Sequence, residues 1–105
     1  DLQYVEDVAA IFNACLLSPK PGAHAFNLAG DIVAMDDFGK VVDKVRPGAG
    51  ELITNGGATV TVNYKMKAEG VKDFLGTVPR TPLEDGIAKS LAIFDRLAAS
   101  GQLSS

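Results

Sequence analysis

The residues that could act chemically in this chain are few and scattered. Cys15 is the only cysteine and His24 the only histidine, so the sequence offers no internal disulfide and no cysteine- or histidine-based metal site. Asp36 and Asp37 form a carboxylate pair, but adjacent residues on a helix point in different directions. Acid–base catalysis needs two groups that converge on one substrate, so we predict that this pair favours the start of a helix.

Phosphate binding by a glycine-rich loop is the next chemistry that the residue types suggest. Such a loop follows the first strand of a dinucleotide-binding domain and carries three glycines. Gly48-Ala49-Gly50 follows a predicted helix instead and lacks the third glycine, so we interpret it as a turn. We therefore assign no catalytic, cofactor-binding or metal-binding residue to the chain.

The composition is that of an ordinary globular domain. The chain has 105 residues, of which 47% are hydrophobic and 22% charged, and its formal net charge is −3. This charge gives no general attraction to nucleic acid or to an anionic membrane. Neither an apolar run of about 18 residues nor a basic-then-apolar leader occurs, so we expect no transmembrane helix and no signal peptide. The lone cysteine fits a reducing compartment, and we expect a cytoplasmic protein.

Four helices are predicted from apolar periodicity and from start and stop signals. The first covers residues 5–17, and a proline-rich stretch ends it. The second covers residues 35–45, and the third covers residues 65–75, with Gly76 placed to cap it. The fourth starts at the T-P-L-E capping pattern of residues 81–84 and runs to about residue 100. The predicted buried face of the first helix consists of Val5, Val8, Ala9, Phe12, Cys15 and Leu16.

Three short stretches have strand-like patterns. Residues 24–28 place Phe26 and Leu28 on one face, and residues 51–54 are a second candidate. Residues 59–62 alternate strictly and are rich in β-branched side chains, which favours a strand. The order helix, strand, helix, strand, strand, helix, helix predicts an α/β fold, although the chain is too short for a complete doubly wound sheet.

Four motif-like stretches occur in order along the chain. They are Y-V-E-D-V-A at residues 4–9, F-N-L-A-G at 26–30, L-G-T-V-P at 75–79 and P-L-E-D-G-I at 82–87. The series resembles the C-terminal part of the extended short-chain dehydrogenase/reductase family, which includes the NAD-dependent epimerases and dehydratases. Each stretch is short, but the four fall in register on the expected elements and together span nearly the whole chain.

The resemblance implies a C-terminal fragment of a Rossmann-type enzyme. Residues 1–33 would be the last helix–strand unit of the nucleotide-binding domain, and residues 34–105 would be a small substrate-binding lobe. The loop that binds NAD or NADP and the catalytic Tyr-x-x-x-Lys pair would lie upstream, in a nucleotide-binding domain that this chain lacks. Tyr4 and Tyr64 are the only tyrosines, and neither has a lysine four residues on. We therefore expect the chain to be catalytically inert alone.

The implied function is binding of a sugar or nucleotide-sugar substrate for an NAD(P)-dependent epimerase, dehydratase or reductase. We predict four substrate-binding residues, because they lie in or next to the loop and helix start where the family contacts its substrate: Asn55, Asn63, Lys65 and Lys67. Turn formation and helix capping explain the same residues equally well. An alternative in another class is a non-enzymatic sensor or scaffold of the same fold that binds the cofactor.

A fragment of this kind would expose surface that the missing domain covers. The strand at residues 24–28 would present an unpaired edge, and the helix at residues 5–17 would present an uncovered apolar face. We therefore expect self-association or a partner chain in addition to a small-molecule substrate, and neither a nucleic-acid nor a membrane partner.

Overall fold

The computed structural model describes residues 1–58 and 61–103 of the chain. Four α-helices follow one another in these residues: α1 (Val5–Leu17), α2 (Met35–Val45), α3 (Glu69–Leu75) and α4 (Leu83–Ala99). A 3-10 helix, Gly50–Leu52, lies between α2 and α3 in the sequence. None of these described helices combines the length and the apolar character that crossing a membrane requires.

The expected α/β architecture is wrong for the part of the chain that the structure describes. No sheet forms there, because the β pairing is one isolated antiparallel bridge between Leu2 and Asp31. Residues 24–28 form no strand, and residues 51–54 contain part of the 3-10 helix instead. Apart from this bridge, the regular secondary structure of the described residues is helical. This finding overturns the Rossmann-type C-terminal fragment as a description of the fold.

The third predicted strand falls partly outside the described residues. Thr59 and Val60 lie outside them, whereas Thr61 and Val62 are described and form no strand.

Residues 24–28 pair with no strand among the described residues, and their groups interact in other ways. A strand is stabilised by hydrogen bonds to a neighbour, so alternation alone does not create one. Here Gln3 Nε2 donates to Leu28 O at 3.2 Å. The ring of Phe26 packs against the ring of Phe74, with centroids 5.0 Å apart. Side-chain packing and side-chain hydrogen bonds therefore replace the predicted ladder.

The helix predictions fare better because helical hydrogen bonds are local. The bounds predicted for α1 and α2 are confirmed, whereas α3 begins later than residue 65, at Glu69. The fourth helix begins at Leu83, so Pro82 flanks its first turn rather than opening it. Gly76 has φ +85°, and its N–H donates to Lys72 O at 2.7 Å. This positive φ confirms the predicted glycine cap at the end of α3.

The chain divides into two compact units. Unit 1 consists of Asp1–Val33 and Ala58–Thr81, and unit 2 consists of Ala34–Gly57 and Pro82–Ser105. In unit 2, α2 packs against α4 and against the 3-10 helix, with Val42 buried. In unit 1, Ile11 of α1 and Val71 of α3 are the buried apolar residues.

The buried face of α1 differs from the predicted one. Ile11 is buried and Cys15 half-buried, whereas Val5, Phe12 and Leu16 are 71%, 69% and 82% exposed. The sequence of α1 is apolar around most of its circumference, so periodicity alone does not single out one face. Unit 1 covers only the side that carries Ile11, and a broad apolar face of α1 remains open to solvent.

Candidate functional site

A groove in unit 1 is the best candidate for a functional site. It has a volume of about 600 Å³ and is lined by residues of α1 and α3 together with residues 28–29, Met66, Ala68 and residues 77–80. We call it the polar groove, because Glu69, Lys72, Thr77 and Arg80 lie along it. Two of its walls belong to the F-N-L-A-G and L-G-T-V-P stretches, so residues distant in sequence meet at one site.

The first wall is fixed by a close backbone approach at Gly30. Leu2 and Asp31 exchange two backbone hydrogen bonds of 2.9 Å, and Asp1 Oδ1 accepts from the N–H of Gly30, also at 2.9 Å. A Cβ added at Gly30 would lie 1.9 Å from Leu2 O. Only glycine leaves room for this backbone crossing, which explains the last residue of the F-N-L-A-G stretch.

The second wall is tied to the start of α1 by Asp7. The backbone N–H of Thr81 donates to Asp7 Oδ2 at 2.5 Å, and the Thr81 hydroxyl donates to Asp7 Oδ1 at 3.0 Å. Both residues are half-buried, so this carboxylate is shielded from water more than the surface acids are. Hydrogen bonds to a charged acceptor are stronger than neutral ones. Asp7 of the Y-V-E-D-V-A stretch therefore holds the segment that follows L-G-T-V-P.

Arg80 joins the two walls of the polar groove. Its guanidinium donates to Asp31 Oδ1 and, at 3.4 Å, to Gly30 O. A guanidinium carries more N–H donors than these bonds use, and the side chain is 60% exposed. Arg80 can thus contact an anion in the groove while Asp31 fixes its position.

Lys72 is the second cation at the polar groove. It lies on α3, is exposed and lines the groove. Among the described residues no carboxylate forms an ion pair with it. Its ammonium group can therefore bind an anionic group of a ligand, with Glu69 on the same helix as the opposite charge at the groove.

Three of the four predicted substrate-binding residues belong to the segment that contributes to the polar groove, but they are not among the residues that line it. Asn63, Lys65 and Lys67 are exposed, in a described segment that forms neither helix nor strand. From that segment the groove takes Met66 and Ala68. The prediction for the three residues stays a prediction.

The fourth predicted residue, Asn55, belongs to unit 2. Its Nδ2 donates to Asp36 Oδ1 at 2.9 Å. This bond fits the structural interpretation of Asn55, in which the amide orders a loop.

Four polar or charged residues of the groove were not predicted from the sequence: Glu69, Lys72, Thr77 and Arg80. Arg80 directly follows the L-G-T-V-P stretch, and this position could have identified it. Lys72 had no such signal, because a lysine on a short helix is most often a solvated surface residue.

The carboxylate pair of α2 has the structural role that we predicted. Asp36 and Asp37 lie in the first turn of α2, where negative charge is favourable. Asp36 accepts from Asn55, whereas Asp37 accepts from Lys40 Nζ at 2.6 Å. The two carboxylates therefore serve different partners and converge on no common point.

Gly48 lies in a turn, as predicted, whereas Gly50 is the first residue of the 3-10 helix. Their N–H groups donate to Asp43 Oδ1 at 2.8 Å and 3.3 Å. A phosphate loop needs such amides to point at the ligand, and here the carboxylate of α2 uses both.

The surroundings of Tyr4 raise the pKa of its side chain. Desolvation raises the pKa of its hydroxyl, and the hydrogen bond to Glu6 and the charges of Glu6 and Asp7 raise it further. A tyrosine that acts as a general base needs a lowered pKa.

Among the described residues no group of histidine, cysteine and carboxylate side chains is arranged to hold a metal ion.

Comparison with known proteins adds no relative to this picture. No protein-family model, no curated protein and no solved structure matches the chain.

Proposed function

We propose that this chain is the substrate-binding part of an NAD(P)-dependent epimerase, dehydratase or reductase, with a sugar or nucleotide sugar as substrate. The polar groove is the substrate site. Alone, the chain is catalytically inert, because cofactor and catalytic residues come from a nucleotide-binding domain outside it. The proposed enzyme works in the cytoplasm.

One observation carries this proposal: three of the four stretches that resemble the family meet in unit 1. Residues 26–30 and 75–79 contribute to the walls of the polar groove. Asp7, from residues 4–9, accepts both hydrogen bonds of Thr81. Stretches that were matched only by their order in the sequence thus support one concave site.

The charges of the groove favour a phosphate-bearing ligand. Arg80 offers a planar guanidinium, which matches phosphate oxygens in two-point contacts, and Lys72 offers a mobile point charge. Thr77 adds a hydroxyl to the groove, and a hydroxyl can donate to or accept from sugar hydroxyls. A nucleotide sugar combines these groups, since its diphosphate carries negative charge and its sugar carries hydroxyls.

The exposed apolar face of α1 supports the proposal that a separate nucleotide-binding domain packs against this chain. Val5, Phe12 and Leu16 are each more than two thirds exposed. Contiguous exposed apolar surface marks an interaction site. We place the nucleotide-binding domain on this face, and self-association through the same face is expected when that domain is missing.

Titration with UDP-glucose, followed by two-dimensional NMR of the amide groups, tests the substrate site. We expect saturable shift changes at Ala29, Thr77 and Arg80. Lys72→Gln should weaken the affinity about fivefold, as expected for an exposed charge contact. Lys44→Gln, which removes the same charge from unit 2, is the matched control and should leave the affinity unchanged.

A titration with NADH tests whether the cofactor site lies outside this chain, independently of the test of the substrate site. The chain alone should show no saturable change in NADH fluorescence, because the cofactor site lies elsewhere. Saturable NADH binding would contradict a cofactor site outside this chain. Shift changes from UDP-glucose that avoid the polar groove, or that are equal in the wild type and in Lys72→Gln, would contradict the substrate site.

A further inference from the structure

A second concavity of unit 1 has a different chemical character from the polar groove. It has a volume of about 320 Å³ and lies between α1, α3 and residues 20–28. We call it the aromatic pocket, after Phe12, His24, Phe26 and Phe74, whose rings line it. Pockets for small organic ligands begin at about this size and are mostly apolar with a few placed polar groups.

Three of the four rings, those of His24, Phe26 and Phe74, form one contacting cluster. His24 and Phe74 have centroids 4.7 Å apart, and Phe26 and Phe74 have centroids 5.0 Å apart. His24 and Phe26 lie nearly parallel, at 6.0 Å. These separations are those of favourable aromatic pairs, so the rings fix one another's orientation. The pocket therefore offers a preformed aromatic wall to a planar ligand.

Two backbone features hold this wall in place. The ring of Phe26 lies against Gly70 of α3, where an added Cβ would come within 3.3 Å of Phe26 Cδ1. His24 Nε2 lies 3.0 Å from Pro21 O. Since a carbonyl oxygen can only accept, Nε2 donates and the imidazole ring is anchored.

The charged side chain among the residues that line the aromatic pocket is that of Lys20, which is positive. Lys20 lies at its edge, with Nζ 4.8 Å from the centroid of the Phe74 ring, and the same Nζ donates to Phe74 O. These contacts hold the ammonium beside the aromatic wall and leave it further N–H donors. No carboxylate is among the residues that line the pocket, and no carboxylate in the described residues forms an ion pair with Lys20.

We infer that the aromatic pocket binds a planar aromatic carboxylate. The ring system of the ligand packs on Phe26 and Phe74, and its carboxylate accepts from Lys20 Nζ. Ile11 and Val71, which are buried and apolar, supply the floor. This site is additional to the polar groove, and it stands whether or not the groove binds a nucleotide sugar.

The test uses 2-naphthoate as the probe on the full 105-residue chain. Amide shift changes in two-dimensional NMR should saturate with a dissociation constant of about 1 mM or lower, the affinity that a ligand of this size can reach. The changes should centre on Cys15, Lys20 and Phe74. Shift changes confined to residues 77–80 would place the probe in the polar groove and would overturn the inference.

Matched ligands and variants isolate the two interactions. The neutral analogue 2-naphthalenemethanol should bind about fivefold more weakly than 2-naphthoate, and Lys20→Gln should remove this difference. Lys44→Gln, on unit 2, should preserve the difference. His24→Leu removes one ring of the pocket, and because His24 is exposed the substitution should leave the fold intact. Absence of saturable binding, or equal affinity of both probes for the wild type, would overturn the inference.

Discussion

In unit 2, two helices pack directly on each other, whereas unit 1 is held by polar contacts between segments far apart in sequence. Val42 of α2 is buried in unit 2, and exposed ion pairs lie around the helices, Lys44 with Glu84 and Arg46 with Asp95. In unit 1, the carboxylate of Asp7 and the glycine at position 30 determine how the chain segments meet.

Both concavities with a proposed ligand lie in unit 1. Unit 2 has a concavity of about 380 Å³ between α2 and residues 50–55, but most of the side chains that line it are polar or charged. Segments that cross by backbone contacts and single side chains leave spaces between them. The described part of unit 1 has two buried apolar residues, Ile11 and Val71, and single contacts such as that between Asp7 and Thr81 add to its stability.

The largest effect is expected from Gly30→Ala in unit 1. The new Cβ would clash with Leu2 O, 1.9 Å away, and the bridge between Leu2 and Asp31 would have to open. Overpacking of this kind costs about 1–3 kcal/mol. Urea unfolding followed by circular dichroism measures it. Gly56→Ala, where nothing lies within 4 Å, is the control and should change the stability by less than about 0.5 kcal/mol. Equal stability of the two variants would show that the backbone crossing does not hold unit 1.

The next effect compares two aspartates at the same helical position. Asp7 is the third residue of α1 and Asp37 the third residue of α2, so both meet the same helix dipole. Asp7→Ala also removes two hydrogen bonds from Thr81 and should cost about 1–2 kcal/mol more than Asp37→Ala. Urea unfolding of both variants gives the difference. Thr81→Val should make Asp7→Ala less costly, and additive effects would contradict a direct Asp7–Thr81 interaction.

A smaller effect is expected at the ion pairs of unit 2. The guanidinium of Arg46 meets both carboxylate oxygens of Asp95, at 3.1 Å and 2.5 Å. Because the pair is exposed, Asp95→Asn should lower the stability by only about 0.5–1 kcal/mol. The loss should be smaller at about 1 M than at about 0.02 M NaCl, since salt screens surface charges. If Asp95→Asn lowered the stability more than Asp7→Ala does, unit 2 rather than unit 1 would depend more on its polar contacts.

The smallest effect concerns the pKa of Lys40. A hydrogen bond from its ammonium to Asp37, followed by the charge of Asp37, raises the pKa of Lys40 above its ordinary value. A raised pKa in the folded state means that the stabilisation is complete below the ordinary lysine value, about 10.4. It is lost as the pH rises through the folded-state pKa.

An NMR titration of the Lys40 side chain measures this shift. In Asp37→Asn the pKa of Lys40 should fall towards the ordinary lysine value. An unchanged titration curve in that variant would show that Asp37 does not cause the shift.

Much of the local structure could be predicted from the sequence, whereas most of the candidate site could not. The periodicity and the stop signals predicted α1 and α2, and the glycine at position 76 predicted the cap of α3. The resemblance predicts Asn63, Lys65 and Lys67 as site residues, whereas the residues of the same segment that line the groove are Met66 and Ala68. Which side of an extended segment faces a groove depends on packing that no periodicity records.

The sequence by itself determined where helices form, because a helix closes its hydrogen bonds within a few residues and signals its own ends. Tertiary structure decided what becomes of the strand pattern at residues 24–28, because a strand needs a second segment to pair with. It also decided which face of the nearly all-apolar α1 is buried. The aromatic pocket and the polar groove arise from the same cause, since side chains such as Lys20 and Phe74 meet only when distant segments pack together.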